Sequence, residues 1–278
     1  MVDEKQVSKE PVPVEVENLT VEFHRRVGFK RIVKTAVDDA SLVLKTGETL
    51  ALVGESGSGK SSLVRTLFGL NPIKSGKVRV LGIDIQNMTA QERRKVRGSM
   101  QMVFQDPYSS LNPSKTAHEI VAEPLQINKA YSKERVHELF EQVGLSRALI
   151  EKKPPEFSGG QRQRIGIARA LALEPRVVVL DEPVSALDVS VQAQVLNLLD
   201  DLQQELGLSY LFIAHDLAVI RHIADRVAVM ETGRIIEQGT RDEIFNSPTE
   251  EFTRTLLNAI PISSPHERRA RGEAVGAK

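Results

Sequence analysis

The sequence predicts an α/β fold, and three observations carry that prediction. An apolar strand pattern at Thr49 to Val53 runs into a glycine-rich turn and then a helical pattern over Lys60 to Gly69. Strand and helix signals alternate from there, as in α/β proteins. Between about Asp106 and Ala172 the strand signals stop and only helical spacing remains, so an inserted helical subdomain is expected there.

Element by element, the charged opening Met1 to Pro13 lacks the apolar core of a secretory signal and reads as a disordered lead-in. Val14 to Phe23 alternates apolar and polar residues, and Ala36 to Leu44 reads as a second strand of a β-rich opening. After the helix at Lys60 come a strand at Lys77 to Val80 and a polar helix at Ala90 to Arg97. Helical spacing recurs at Ala117 to Leu125, Ser132 to Val143 and Gln161 to Leu173. Strands return at Val177 to Leu180, Tyr210 to Ala214 and Arg226 to Met230, with a helix from Val191 to Leu206 that stops at Gly207. Val177 to Leu180 is apolar on both faces, which predicts a strand buried by helices on either side of a parallel sheet. The tail from Pro261 is rich in Ser, Pro, Arg and Gly and reads as loose.

Composition narrows the function classes. The chain has 278 residues, and its 37 Lys and Arg balance 37 Asp and Glu, so it lacks the overall basic character of a nucleic-acid coat. With no cysteine it has no disulfides, no thiolate zinc site, no Cys-ligated iron–sulfur cluster and no Cys nucleophile. No stretch reaches the roughly 18 consecutive apolar residues of a membrane-spanning helix.

Gly54-Glu55-Ser56-Gly57-Ser58-Gly59-Lys60-Ser61 fits G-x-x-x-x-G-K-[ST] between a strand and a helix, the context of a phosphate loop. Small residues let backbone N–H groups turn toward a phosphate, the helix N-terminus adds partial positive charge, Lys60 reaches the β and γ oxygens, and Ser61 can ligate Mg²⁺. A second element, Val177 to Glu182, is a buried strand that delivers two carboxylates at its C-terminal end, where open α/β sheets bind ligands. Asp181 is expected in the Mg²⁺ shell and Glu182 as the acceptor of a proton from water. Third, Phe157-Ser158-Gly159-Gly160-Gln161 precedes an amphipathic helix bearing Arg162, Arg164 and Arg169. Ser158 is placed as an N-cap, with a glycine pair exposing N–H groups to an anion. One nucleotide does not need two cradles in one chain, so the second is expected to serve a facing subunit.

These residues resemble the nucleotide-binding subunit of an ABC (ATP-binding cassette) transporter, over about Val14 to Gly239. The matching motifs are the phosphate loop Gly54 to Ser61, a Q-loop glutamine Gln105, the signature Ser158 to Gln161, the Walker B acids Asp181 and Glu182, a D-loop Ser185-Ala186-Leu187-Asp188 and a switch histidine His215. The resemblance implies a RecA-like core sheet, an antiparallel β subdomain and an inserted helical subdomain, with the cassette ending near residue 240 and a C-terminal extension over 241–278. It implies Glu182, His215, Gln105 and Lys60 as catalytic residues, with Mg²⁺ on Ser61, Gln105 and Asp181. ATP would be held by Gly54 to Ser61 and Ser62, with adenine stacked on Phe23 at the end of the first strand, or on Phe29 in the extra loop His24 to Lys34. Ser158, Gly159, Gly160 and Gln161 would contact the ATP of the facing subunit, near Ser185 and Asp188. Phe157 stands where the family usually has Leu.

A narrower resemblance, at Gln105 to Pro113, Glu119 to Leu125 and Leu180 to Asp201, is to ATPase subunits of dipeptide and oligopeptide importers, a group that includes nickel and metallophore importers. Phe252 to Pro261 resembles the terminal extension of that group, with Glu250-Glu251-Phe252 replacing its usual His-Pro-Tyr. The implied partners are a second ATPase subunit, two integral-membrane permeases and, through them, an extracytoplasmic solute-binding protein, with no nucleic acid. The implied location is the cytoplasmic face of the plasma membrane. The rival is a soluble ABC ATPase acting on DNA or ribosomes, whose relatives carry a long coiled coil or two cassettes in one chain; this sequence has neither.

Overall fold

In the computed structural model, which describes residues 12–258 apart from Phe29 and Pro107, the chain opens on a long hairpin of β1 (Val14–Val27) and β2 (Lys30–Leu44). Next come β3 (Thr49–Val53), α1 (Lys60–Leu67), β4 (Ser75–Val80), β5 (Ile83–Asp84) and α2 (Ala90–Ser99), which passes directly into β6 (Met100–Val103). Three helices then follow without a strand, α3 (Ala117–Ile127), α4 (Lys133–Gln142) and α5 (Gly159–Leu171). Sheet formation resumes with β7 (Val177–Asp181), α6 (Val189–Leu206), β8 (Ser209–Ile213), α7 (Leu217–Ile223), β9 (Arg226–Glu231) and β10 (Arg234–Thr240). The described chain closes on α8 (Arg241–Asn246) and α9 (Glu251–Asn258).

Two sheets result. An antiparallel one has the order β2-β1-β4-β5, and a larger one the order β10-β9-β3-β8-β7-β6. The larger sheet is parallel except at β10, which returns antiparallel to β9. Because strand side chains alternate in direction, the doubly apolar strands of this sheet feed two cores. Ala51, Val53, Val178, Leu180, Tyr210 and Phe212 pack toward the helical layer. Their neighbours Leu50, Leu52, Val177, Val179, Leu211 and Ile213 pack toward α1 and the antiparallel sheet. Burial on both faces is what the unbroken Val177 to Leu180 run predicts.

The helices begin where their caps dictate. Thr116 with Glu119 and Ser158 with Gln161 form reciprocal capping boxes at α3 and α5, and Gly207 in the left-handed conformation stops α6. Several expectations change. The segment His24 to Lys34 is no loop: β1 and β2 stay paired from Phe23 opposite Lys34 to Val27 opposite Lys30, so Phe23 lies inside its strand and not at its end. Strands β5, β6 and β10 and helices α7, α8 and α9 go beyond the predicted elements. Residues 1–11 of the expected lead-in, Phe29 and the tail beyond 258 lie outside the described residues. Among the described residues no helix is long and apolar enough to cross a membrane.

Candidate nucleotide site

Four neighbouring strands bring the predicted residues to one edge of the large sheet. β3 ends in the phosphate loop, β8 in His215, β7 in Asp181 and Glu182, and β6 in the segment holding Gln105. All four are parallel, so the four C-terminal ends lie side by side at strand spacings of about 4.8 Å. Residues distant in sequence thus converge.

The phosphate loop depends on glycine for contact as well as conformation. A Cβ on Gly54 would come within 2.1 Å of the Met230 carbonyl oxygen, and one on Gly59 within 2.3 Å of that of Ala36. Gly59, at a φ of 112°, opens α1 without a side-chain cap. The β9–β10 turn braces the loop from outside, the Gly233 N–H donating to the Ser58 carbonyl at 2.8 Å. Lys60 is buried, and its Nζ donates to the Gly54 and Glu55 carbonyls, both at 2.7 Å, and to Ser58 Oγ at 3.3 Å. Burial lowers the Lys60 pKa, opposed by the negative charges of Glu182, Asp181 and Glu55.

Glu182 is the centre of the acidic side. Its φ of 46° is left-handed, a conformation that costs a non-glycine residue roughly 1–2 kcal/mol. The turn is fixed on both sides: its N–H donates to the Ile213 carbonyl at 2.8 Å, and its own carbonyl accepts from the N–H and Oγ of Ser185. The carboxylate is held by its Oε2, which accepts from Gln105 Nε2 at 2.7 Å and lies 3.1 Å from His215 Nδ1. Beside it a cavity of about 90 Å³, lined by Glu182, Ser185, Gln192 and His215, has room for water. Burial raises the Asp181 pKa, the Glu182 charge raises it further, and Lys60 and Arg65 oppose.

Mg²⁺ can be tested against the donors present. Ser61, Gln105 and Asp181 line one cavity of about 560 Å³, and together they offer a hydroxyl, a carboxamide oxygen and one carboxylate. Mg²⁺ takes few protein oxygens and keeps the rest of its shell for phosphate and water. The set fits that ion. Among the described residues no group of three or more His, Cys, Asp or Glu side chains could hold a metal by itself.

The signature segment lies elsewhere, at the start of α5. Ser158 Oγ accepts from the Gln161 N–H, and Gln161 Oε1 accepts from the Ser158 N–H. Its glycines have a second use that the sequence did not disclose. A Cβ on Gly160 would meet Val191 Cγ1 at 2.5 Å, and one on Gly159 would meet Leu187 Cδ2 at 3.1 Å, so the D-loop and α6 pack directly on this helix start. Asp188 caps α6 through the Val191 N–H. The arginines of α5 bind its neighbouring segments: Arg162 donates to the Pro154 carbonyl and stacks 3.9 Å from the Tyr108 ring, and Arg164 donates to the Val143 carbonyl. Arg169 donates to the Ser110 carbonyl at 2.8 Å and packs 5.9 Å from Phe104, gripping both flanks of the Gln105 segment.

Phe23 is exposed, directly across the hairpin from Lys34, a residue that lines the cavity over the phosphate loop. Ser56 lies within that loop and Ser62 follows it in the first turn of α1, where its carbonyl accepts from Asn71 Nδ2.

The family model described as ABC transporter matches residues 37–185, more than half of the chain. The chain belongs to the ABC transporter family. This ABC cassette is 50% identical over 269 residues to the oligopeptide transport ATP-binding protein OppF of Salmonella typhimurium, covering 93% of this chain and 80% of that protein. It is 49% identical to the oligopeptide transport ATP-binding protein AppF of Bacillus subtilis, covering 87% of this chain and 74% of that one. Among solved structures, the ATP-binding cassette MJ0796 in a dimeric post-hydrolysis state with ADP and Pi superposes with a TM-score of 0.71 at 30% identity, over 82% of this chain and 98% of that one. The fold of this ABC ATPase is therefore the one its motifs imply.

Proposed function

We propose that this cassette binds and hydrolyses ATP to drive an importer of di- or oligopeptides, as one of two ATPase subunits on a pair of membrane permeases at the cytoplasmic face of the plasma membrane. The observation that carries the reading is the convergence of Lys60, Asp181, Glu182, Gln105 and His215 on one sheet edge. The peptide class is supported by the relatives, which are oligopeptide transport ATP-binding proteins. We assign residues 14–240 to the cassette, with 106–172 as its helical subdomain and α8 as the start of the extension.

The chemistry follows from the hydrogen bonds. Gln105 and His215 both engage Glu182 Oε2, and among the described residues Oε1 has no such partner, so Oε1 faces the attacking water and accepts its proton. The water oxygen bonds to the γ-phosphorus, the bond from that phosphorus to the bridging oxygen breaks, and ADP leaves with the bridge oxygen. Lys60 holds the β and γ oxygens. Mg²⁺, when held by Ser61, Gln105 and Asp181, neutralises charge on the same oxygens. Ser158 to Gln161 serves the nucleotide of the facing cassette, so closure of two cassettes completes each site. Gln105, clamped through Arg169 to α5, passes that closure to the helical subdomain and, along the groove lined by Phe68, Leu70, Phe104 and Pro124, to the permease.

The test is Glu182→Gln in the assembled transporter. Steady-state hydrolysis is expected to fall at least a hundredfold, about the contribution of a positioned general base, while ATP binding persists. Normal turnover would remove Glu182 from this role.

A further inference from the structure

The hairpin formed by β1 and β2 carries five cations and no acid between residues 23 and 37. Among the described side chains of that run, Lys34 reaches the nucleotide cleft. It lines a cavity of about 260 Å³ together with Gly59, Lys60 and Ser61. It stands directly opposite Phe23, and directly opposed residues of an antiparallel pair project to the same face. Two residues further along β2, at the register shift between Thr35 and Val37, the Ala36 carbonyl lies against Gly59 of the phosphate loop. Lys34 therefore occupies the strip between the exposed Phe23 ring and the loop.

Its charge is uncommitted. The two acids that bracket the cationic run are engaged elsewhere, Glu22 with Lys74 at 2.5 Å and Asp38 with Arg234 at 2.7 Å. Among the described residues Lys34 has no ion-pair partner. A nucleotide with its terminal phosphates in the loop and its base on Phe23 must lay its α-phosphate and sugar across this strip. Lys60 and Ser61 lie at the far end of that chain. A flexible four-carbon stem brings the Lys34 ammonium to the α-phosphate end, where Ser62 lines the same cavity.

We propose that Lys34 is a second nucleotide-binding cation, which holds the α-phosphate end of nucleoside di- and triphosphates while Lys60 holds the β and γ oxygens. The proposal rests on the reading of the phosphate loop as an ATP site. A contact at the α-phosphate is common to ATP and ADP, so it contributes affinity for both and leaves the chemical step alone.

The experiment is calorimetric titration of the full chain with ATP and with ADP, comparing Lys34→Ala, Lys34→Arg and Lys60→Ala with the parent. Lys34→Ala is expected to lose about three- to tenfold in affinity for both nucleotides, the range of an exposed charge-assisted contact, with a smaller loss at high salt. Lys34→Arg should recover most of it. Parent-like binding by Lys34→Ala while Lys60→Ala loses binding overturns the inference and leaves the ATP site standing. Loss for ATP alone also overturns it, by placing the contact at the γ-phosphate. Parent-like binding by Lys60→Ala overturns the ATP site itself, and Lys34 with it.

Discussion

At Glu182 the backbone cost and the chemistry coincide. The left-handed turn, pinned by Ile213 and Ser185, turns the carboxylate toward Gln105 and His215 instead of along the strand. Glu182→Gln keeps the shape and the neighbours but removes the proton acceptor, so nucleotide binding without turnover is the expected phenotype. Lys60→Ala differs in kind. It takes a buried cation from the phosphates, and ATP affinity should drop by at least tenfold, as the loss of a charge-assisted contact of about 1.5–3 kcal/mol requires; unchanged affinity by calorimetry would contradict the loop geometry. Both roles are legible in sequence because the residue types and their spacing are dictated by phosphate chemistry. The contacts of Gly54 and Gly59 with Met230 and Ala36 were not, since they join segments far apart in the chain.

Elements show the same division. Long periodic helices and doubly apolar strands announce themselves, whereas β6 is four residues with two methionines and no β-branched residue before Val103, β10 is a half-buried edge, and α7 spans seven residues, too few for a period to register. Gly160 illustrates what packing adds. The sequence marks it as an N–H donor, yet it also admits Val191 of α6. Gly160→Ala should cost roughly 1–3 kcal/mol by overpacking, read as a lower melting temperature, and should slow hydrolysis by moving the signature off the D-loop. Stability and turnover equal to the parent would show that the contact relaxes freely.

Helix α9 is held by apolar packing of Phe252, Leu256 and Leu257 on the core and by one carboxylate at its entry. Glu237 on β10 accepts from the Thr249 N–H and Oγ1 at 2.7 and 2.8 Å and from the Glu250 N–H at 3.2 Å, anchoring the entry to α9. Burial pushes its pKa up, but these hydrogen bonds outweigh that and set it below the ordinary glutamate value of 4.5. A group depressed in the folded state contributes stability that is fully present above its unfolded value and is lost as pH falls through the folded one. Hydrogen-exchange protection of residues 249–258 should therefore hold above pH 4.5 and decline below it. In Glu237→Gln that decline should be flatter; an identical profile would mean that other groups control the docking.

For the whole molecule, the proposed roles make one cassette half of a catalytic unit, since the phosphate loop opens α1, the signature opens α5, and each would serve a different nucleotide. Two anion cradles in one chain point to this in sequence. The transported solute leaves no such mark here, because in the proposed importer it is chosen by the solute-binding protein and the permeases. The most direct measurement is affinity purification of the Glu182→Gln chain with Mg-ATP from detergent-solubilised cells, with mass spectrometry of what accompanies it. The account predicts two multi-span permeases, an ATPase partner and a solute-binding protein. Ribosomal proteins or DNA, with no membrane protein, would contradict it.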